Sequence, residues 1–139
     1  MSIFKVLKWT VGGFYLIGGP LIHIYCITQN PAIYGKIAES AWPLYQTLWQ
    51  TWVLPYLVPL VVLLMVVEAT MGALMLSRNS RLARLGQAAG LAFNLLLVPF
   101  QFAWGIPNLL TAALHGWLWW REGQPNPQPA TSARTILQH

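Results

Sequence analysis

The sequence predicts an all-α membrane protein: a four-transmembrane-helix bundle with an amphipathic interfacial helix between spans one and two. Three observations carry this expectation. Only 8% of the 139 residues are charged and 56% are hydrophobic, whereas a water-soluble domain has roughly a quarter of its residues charged. The 36 residues between Arg84 and Arg121, and the 27 between Lys8 and Lys36, include no Asp, Glu, Lys or Arg. The basic residues are also lopsided. With four spans, Lys5, Lys8, Arg78, Arg81, Arg84, Arg121 and Arg134 fall on one side and only Lys36 on the other. That asymmetry places both termini in the cytoplasm. Three spans would put Arg121 and Arg134 outside and lose the agreement.

The elements follow in chain order. A spanning helix needs about 20 apolar residues, and residues 9–28 supply the first. Lys5 and Lys8 ahead of it resemble the start of a signal peptide, but the stretch is long, holds Gly12, Gly13, Gly18, Gly19 and Pro20, and lacks a small-x-small cleavage site. A retained anchor is expected. In residues 40–53, Trp42, Tyr45, Leu48, Trp49 and Trp52 recur at spacings of three and four, with Gln46, Thr47, Gln50 and Thr51 between them. The pattern predicts an amphipathic helix in the outer interface, capped by Ser40 with Pro43 in its first turn. The alternative is a plain extension of span two, residues 54–77.

The run after Arg84 would be about 54 Å long as one helix, nearly twice the hydrocarbon core. It must turn back, and Pro99 with Gly105-Ile106-Pro107-Asn108 provides the break. Span three is therefore 82–98 and span four 107–120, a short one. Residues 122–139 are rich in Pro and Gln and predict a polar tail without a packed core. Trp9, Trp117, Trp119 and Trp120 fall at the cytoplasmic edge and Trp42, Trp49, Trp52 and Trp104 at the opposite one, the aromatic-belt pattern.

Several functions are excluded or weakened. Cys26 is the only cysteine, so there is no internal disulfide or Cys-x-x-Cys pair. Phosphate-binding glycine loops, Ser/His/Asp sets and carboxylate-rich metal sites are not found. The net charge of +5 reflects topology and does not call for a nucleic-acid partner.

Chemistry rests on the polar residues inside the spans, where ionisable groups are costly. At 1.5 Å per residue, Glu68 lies about 14 Å, Asn94 about 15 Å and His115 about 9 Å from the cytoplasmic edge. A Glu68–Asn94–His115 cluster is geometrically allowed, with Gln87 below it. It either pins helix packing or handles protons. His23 lies about 22 Å from that edge, so its depth differs by about 13 Å from that of His115, which disfavours a shared bis-histidine haem. His23 remains placed to touch a quinone headgroup or pigment, with Tyr25 and Tyr34 nearby, or simply to bond a neighbouring helix. Gly86-x-x-x-Gly90 is a formal close-packing motif, serving internal packing or dimerisation.

Several segments together resemble the DoxX-like membrane proteins. Gly18-Gly19-Pro20-Leu21-Ile22-His23 is similar to the glycine-then-histidine end of their first helix, and Asn30-Pro31-Ala32-Ile33-Tyr34 to the Pro-x-x-Tyr loop after it. Glu68-Ala69-Thr70-Met71-Gly72-Ala73 resembles their Glu-x-x-x-Gly element. A basic turn, Arg78-Asn79-Ser80-Arg81, and a Val98-Pro99 break follow in order. The resemblance covers residues 10–120 and implies a four-helix bundle in the bacterial inner membrane. Some of its members are subunits linked to thiosulfate:quinone oxidoreduction or to oxidative-stress assemblies.

The expectation is therefore a non-catalytic accessory subunit of a larger membrane complex, surrounded by lipid and other membrane subunits. Its alternative is a quinone-linked redox protein in which Glu68 and His115 handle protons. The ligand-binding candidates, for quinone, pigment or lipid, are His23, Tyr25, Glu68, Asn94 and His115. A transporter is disfavoured, because a short fourth span and a lone acid leave little for a pathway.

Overall fold

The computed structural model describes residues 2–100 and 102–124, apart from the side chains at positions 100 and 102–104. Of the expected tail, residues 125–139, with Arg134, lie outside the described residues, as does the Trp104 side chain. The protein is helical, with no strand among the described residues. Helix α1 spans Ile3–Gln29, α2 Ile33–Glu39, α3 Pro43–Met75, α4 Ser80–Leu97 and α5 Phe102–Glu122. Of these, α1 and α3 are long and apolar enough to cross a membrane.

The four long helices run up, down, up and down. Lys8 of α1 forms an ion pair with Glu122 at the end of α5 and donates to the Ser77 carbonyl after α3 at 3.2 Å. At the other end, the Trp42 amide before α3 donates to the Pro99 carbonyl after α4 at 3.1 Å. Lys5, Lys8, Arg78, Arg81, Arg84 and Arg121 consequently surround one end of the bundle. Trp119 lies there under the Arg84 guanidinium, 4.3 Å from it, and Phe4 meets Trp117 edge-on.

Three boundaries differ from the sequence expectation, and prolines explain each. Residues 40–53 do not form a separate helix. The chain is helical without interruption from Pro43 to Met75, 33 residues, with Trp42 and not Ser40 at the N-cap position. Pro55 lacks an N–H and its ring would crowd the carbonyl four residues back. Widening the turn at Trp49–Val53, where the Leu54 amide reaches the Trp49 carbonyl, and tightening the next at Leu54–Tyr56 accommodates it. The same device lies before Pro20, where Phe14–Gly18 is widened and the Gly19 amide reaches Phe14. Such one-turn bulges let a long helix absorb a proline. At about 50 Å, α3 exceeds the hydrocarbon core.

The third difference concerns the last turn. The reversal falls at Val98–Phe100, and Pro107 lies inside α5, not at its start. Pro107 is the sixth helical residue, so it removes only one hydrogen bond from an end that already has four free donors. Starting at Phe102 lengthens α5 to 21 residues, about 31 Å, which relieves the shortness of the expected fourth span.

Small residues bring the helices together. A methyl on Gly72 would lie 2.7 Å from the Gly12 carbonyl oxygen and from Leu16 Cα, so α1 and α3 touch through their backbones. Gly86 meets the Met75 amide of α3, and Gly90 meets the His115 ring of α5. The Gly86-x-x-x-Gly90 motif therefore serves packing within the chain. Tyr15, Met71 and Met75 form the apolar centre, with Val11, Ala89 and Phe93 against it. The exterior is apolar instead: Leu21, Val58, Leu63, Val66, Leu96 and Leu110 are all exposed, while Glu68, Gln87, Asn94 and His115 are buried.

Candidate functional site

The buried polar residues form three groups. In the first, near the middle of the bundle, Glu68 of α3 is pressed against α1 at Gly19, where a methyl would lie 2.5 Å from Glu68 Oε2. His23, one turn further along α1, holds its Nε2 3.5 Å from the same oxygen. Its Nδ1 lies 2.8 Å from the Tyr34 hydroxyl, and the two rings stack at an interplanar angle of 18°. Tyr34 is fixed in turn by Trp49, whose Nε1–H donates to the Tyr34 carbonyl at 2.8 Å. Tyr34, His23 and Glu68 thus form a row from the short helix α2 to the buried carboxyl.

The protons in that row can be placed. Burial pushes the Tyr34 phenol up to about 12, with Cys26 and Glu68 adding in the same direction. Tyr34 therefore keeps its proton, and in the tautomer in which its hydroxyl donates to Nδ1 the His23 proton is on Nε2, facing Glu68. At 3.5 Å this last contact is an electrostatic approach, beyond ordinary hydrogen-bond length. Oε2 of Glu68 is buried with no hydrogen-bond partner among the described residues.

The second group is Asn94 with Tyr15. Asn94 Nδ2 donates to the Tyr15 hydroxyl at 2.6 Å and to the Gly90 carbonyl at 2.8 Å. The third is His115, whose Nδ1 is 2.7 Å from Gln87 Oε1. With a carbonyl oxygen as partner, the His115 proton is on Nδ1, and Nε2 is left as a buried acceptor without a partner among the described residues. Tyr15 links the two groups, its ring centroid 5.5 Å from that of His115. Glu68, Asn94 and Tyr15 also line a cleft of about 410 Å³ together with Phe14, Leu97 and Pro107. Phe14, part of that lining, is exposed.

The expected cluster is therefore divided. Glu68 and Asn94 share one cleft, while the hydrogen bonds of Asn94 go to Tyr15 and Gly90 and that of His115 to Gln87. His23 and His115 belong to different groups with different partners. Tyr25 is 66% exposed and faces outward, and Tyr34 takes the place beside His23. Tyr15 was missed by the sequence reading, although its position was legible: seven residues beyond Lys8 it lies about 10 Å deep, level with His115.

The fold and site together define a class: an all-helical protein with an apolar exterior and a buried row of protonatable side chains. No family model, curated protein or solved structure matches the chain.

Proposed function

We propose that the chain is a four-span, DoxX-like subunit of a larger complex in the bacterial inner membrane, with its basic end cytoplasmic. Its part there is to handle protons at a site for a quinone-type lipid-soluble ligand. The observation that carries this reading is the buried, unpartnered carboxyl oxygen of Glu68 at the end of the Tyr34–His23 row. Asn94 bonds Tyr15, and His115 bonds Gln87, although each of these last two keeps one buried nitrogen without a partner among the described residues. Glu68 differs in kind: its unpartnered atom belongs to an acid and faces a histidine. Two positions that carried the DoxX-like resemblance, His23 and Glu68, are the ones that face each other.

The inside-out distribution of side chains supports the membrane placement, since lipid tolerates exposed Leu and Val and penalises exposed acids. The cleft beside Glu68 supports the ligand, because a quinone ring can enter from the lipid side at Phe14 and present a carbonyl to the carboxyl. Quinone reduction takes up two electrons and two protons. In this reading the electrons come from a redox partner in the complex, and Glu68 passes on both protons in turn. It is recharged each time by the His23 Nε2–H as Nδ1 takes the Tyr34 hydroxyl proton and Tyr34 regains one from the aqueous side. Tyr34 holds the His23 ring in the orientation this transfer needs.

The test is gentle solubilisation of the native assembly with measurement of particle mass, bound quinone and turnover. A particle much heavier than the 15.6 kDa chain, retaining quinone, is expected. Glu68→Gln keeps the shape and one donor of a protonated acid but cannot exchange a proton at neutral pH. It should assemble normally and lose turnover as fully as Glu68→Leu. Normal turnover with normal incorporation would eliminate the proton-handling role.

A further inference from the structure

The basic end of the bundle holds a cleft of about 810 Å³ whose lining includes Lys5, Lys8, Arg78, Arg81, Arg84 and Arg121, with Glu122 the acid among them. Glu122 is already engaged by Lys8. Five cations therefore share one concavity without an acidic partner in its lining, an arrangement that like-charge repulsion opposes unless an anion enters. The lining comes from three places in the chain: the start of α1, the α3–α4 turn with the start of α4, and the end of α5.

Arg84 adds a second observation. Its guanidinium lies over the Trp119 ring, yet its Nε is buried with no hydrogen-bond partner among the described residues. Buried guanidinium donors almost always have an acceptor, and the planar fork of arginine matches phosphate oxygens. The apolar part of the lining is Phe4, Trp9 and Leu76, and Trp9 is 60% exposed on the outer face of α1. A ligand seated here meets cations at its head and an apolar helix surface along its length.

We propose that this cleft binds the phosphate of an anionic phospholipid, with the acyl chains leaving along α1 past Trp9. The inference rests on the membrane placement above, which sets this end against the leaflet whose anionic lipids attract basic clusters. A soluble phosphate ester would share the headgroup chemistry but has no use for the apolar border. A bound lipid would tie α1, the α3–α4 turn and α5 together at this end, adding to the Lys8 contacts and the Phe4–Trp117 ring pair.

The experiment uses the full chain in detergent, with binding read by native mass spectrometry against phosphatidylglycerol, phosphatidylcholine and glycerol phosphate. Phosphatidylglycerol should bind and resist competition by either of the others. Arg81→Gln with Arg84→Gln should weaken it about thirtyfold, taking each basic residue at its usual contribution near an anionic surface. Arg81→Lys with Arg84→Lys, which keeps the charge and is gentler on folding, should weaken it less, and Lys36→Gln at the other end should change nothing. Equal binding of phosphatidylcholine, or full binding by the glutamine pair, would overturn the proposal. Displacement by glycerol phosphate at equal concentration would overturn the lipid as its source. Carbonate extraction of the membranes reads the placement separately, since a chain that washes off refutes the placement whatever the lipid result.

Discussion

Gly72→Ala probes the closest approach in the bundle. The added methyl would lie 2.7 Å from the Gly12 carbonyl oxygen and from Leu16 Cα, and closer still to the Leu16 amide. Carbon atoms settle at about 3.5–4.0 Å, so α1 and α3 would have to separate by about 1 Å. All three obstacles are helix backbone, which cannot rotate away as a side-chain tip can. Overpacking of this kind costs about 1–3 kcal/mol, and the better helix propensity of alanine returns at most about 1 kcal/mol. Relative to an alanine that gains the same propensity without the clash, a loss of about 1–3 kcal/mol is expected. Gly13→Ala is the control, since nothing lies within 4 Å of its added methyl and only the propensity gain remains. The assay is reversible unfolding of the purified protein in mixed micelles, followed by circular dichroism. If Gly72→Ala were as stable as Gly13→Ala, the backbone contact between α1 and α3, and the placement of Glu68 that depends on it, would be refuted.

The remaining predictions concern Tyr34 and topology. With its phenol pushed up from 10.0 to about 12, Tyr34 holds its proton in the fold where an unfolded phenol would lose it. Its contribution to stability is therefore complete below pH 10 and lost as the pH rises toward 12. Absorbance titration of wild type against Tyr34→Phe should give a difference with its midpoint near 12, and a midpoint at 10 would contradict the buried position beside His23. Lys36, on α2 at the end away from the basic cleft, should react in intact cells with an amine label that cannot cross the inner membrane. Labelling only after that membrane is permeabilised would reverse the orientation.

What the sequence determined by itself was composition acting through solvent. Charge-free runs of 27 and 36 residues dictate apolar helices, because a chain without charges must satisfy its polar backbone internally. The gathering of Lys5, Lys8, Arg78, Arg81, Arg84 and Arg121 at one end was legible too, because two long helices, an even number, lie between Lys8 and Arg78 and again between Arg84 and Arg121. The depths of Glu68, Asn94 and His115 followed from the helical rise. Depth, however, is one coordinate of three. Which residues meet depends on helix rotation, and that is set by where glycine leaves room for a neighbour: Gly72 for the backbone of Leu16 and Gly12, Gly19 for the Glu68 carboxyl, Gly90 for the His115 ring. These contacts turn His23 toward Glu68, turn Tyr25 outward, and give Asn94 to Tyr15 and His115 to Gln87. Prolines show the same division. Pro99 marks the reversal in the sequence, but whether Pro20, Pro55 and Pro107 break a helix or are absorbed into one depends on the turns that precede them. Only the tertiary structure decides that, because the cost of a widened turn is met by packing against other helices.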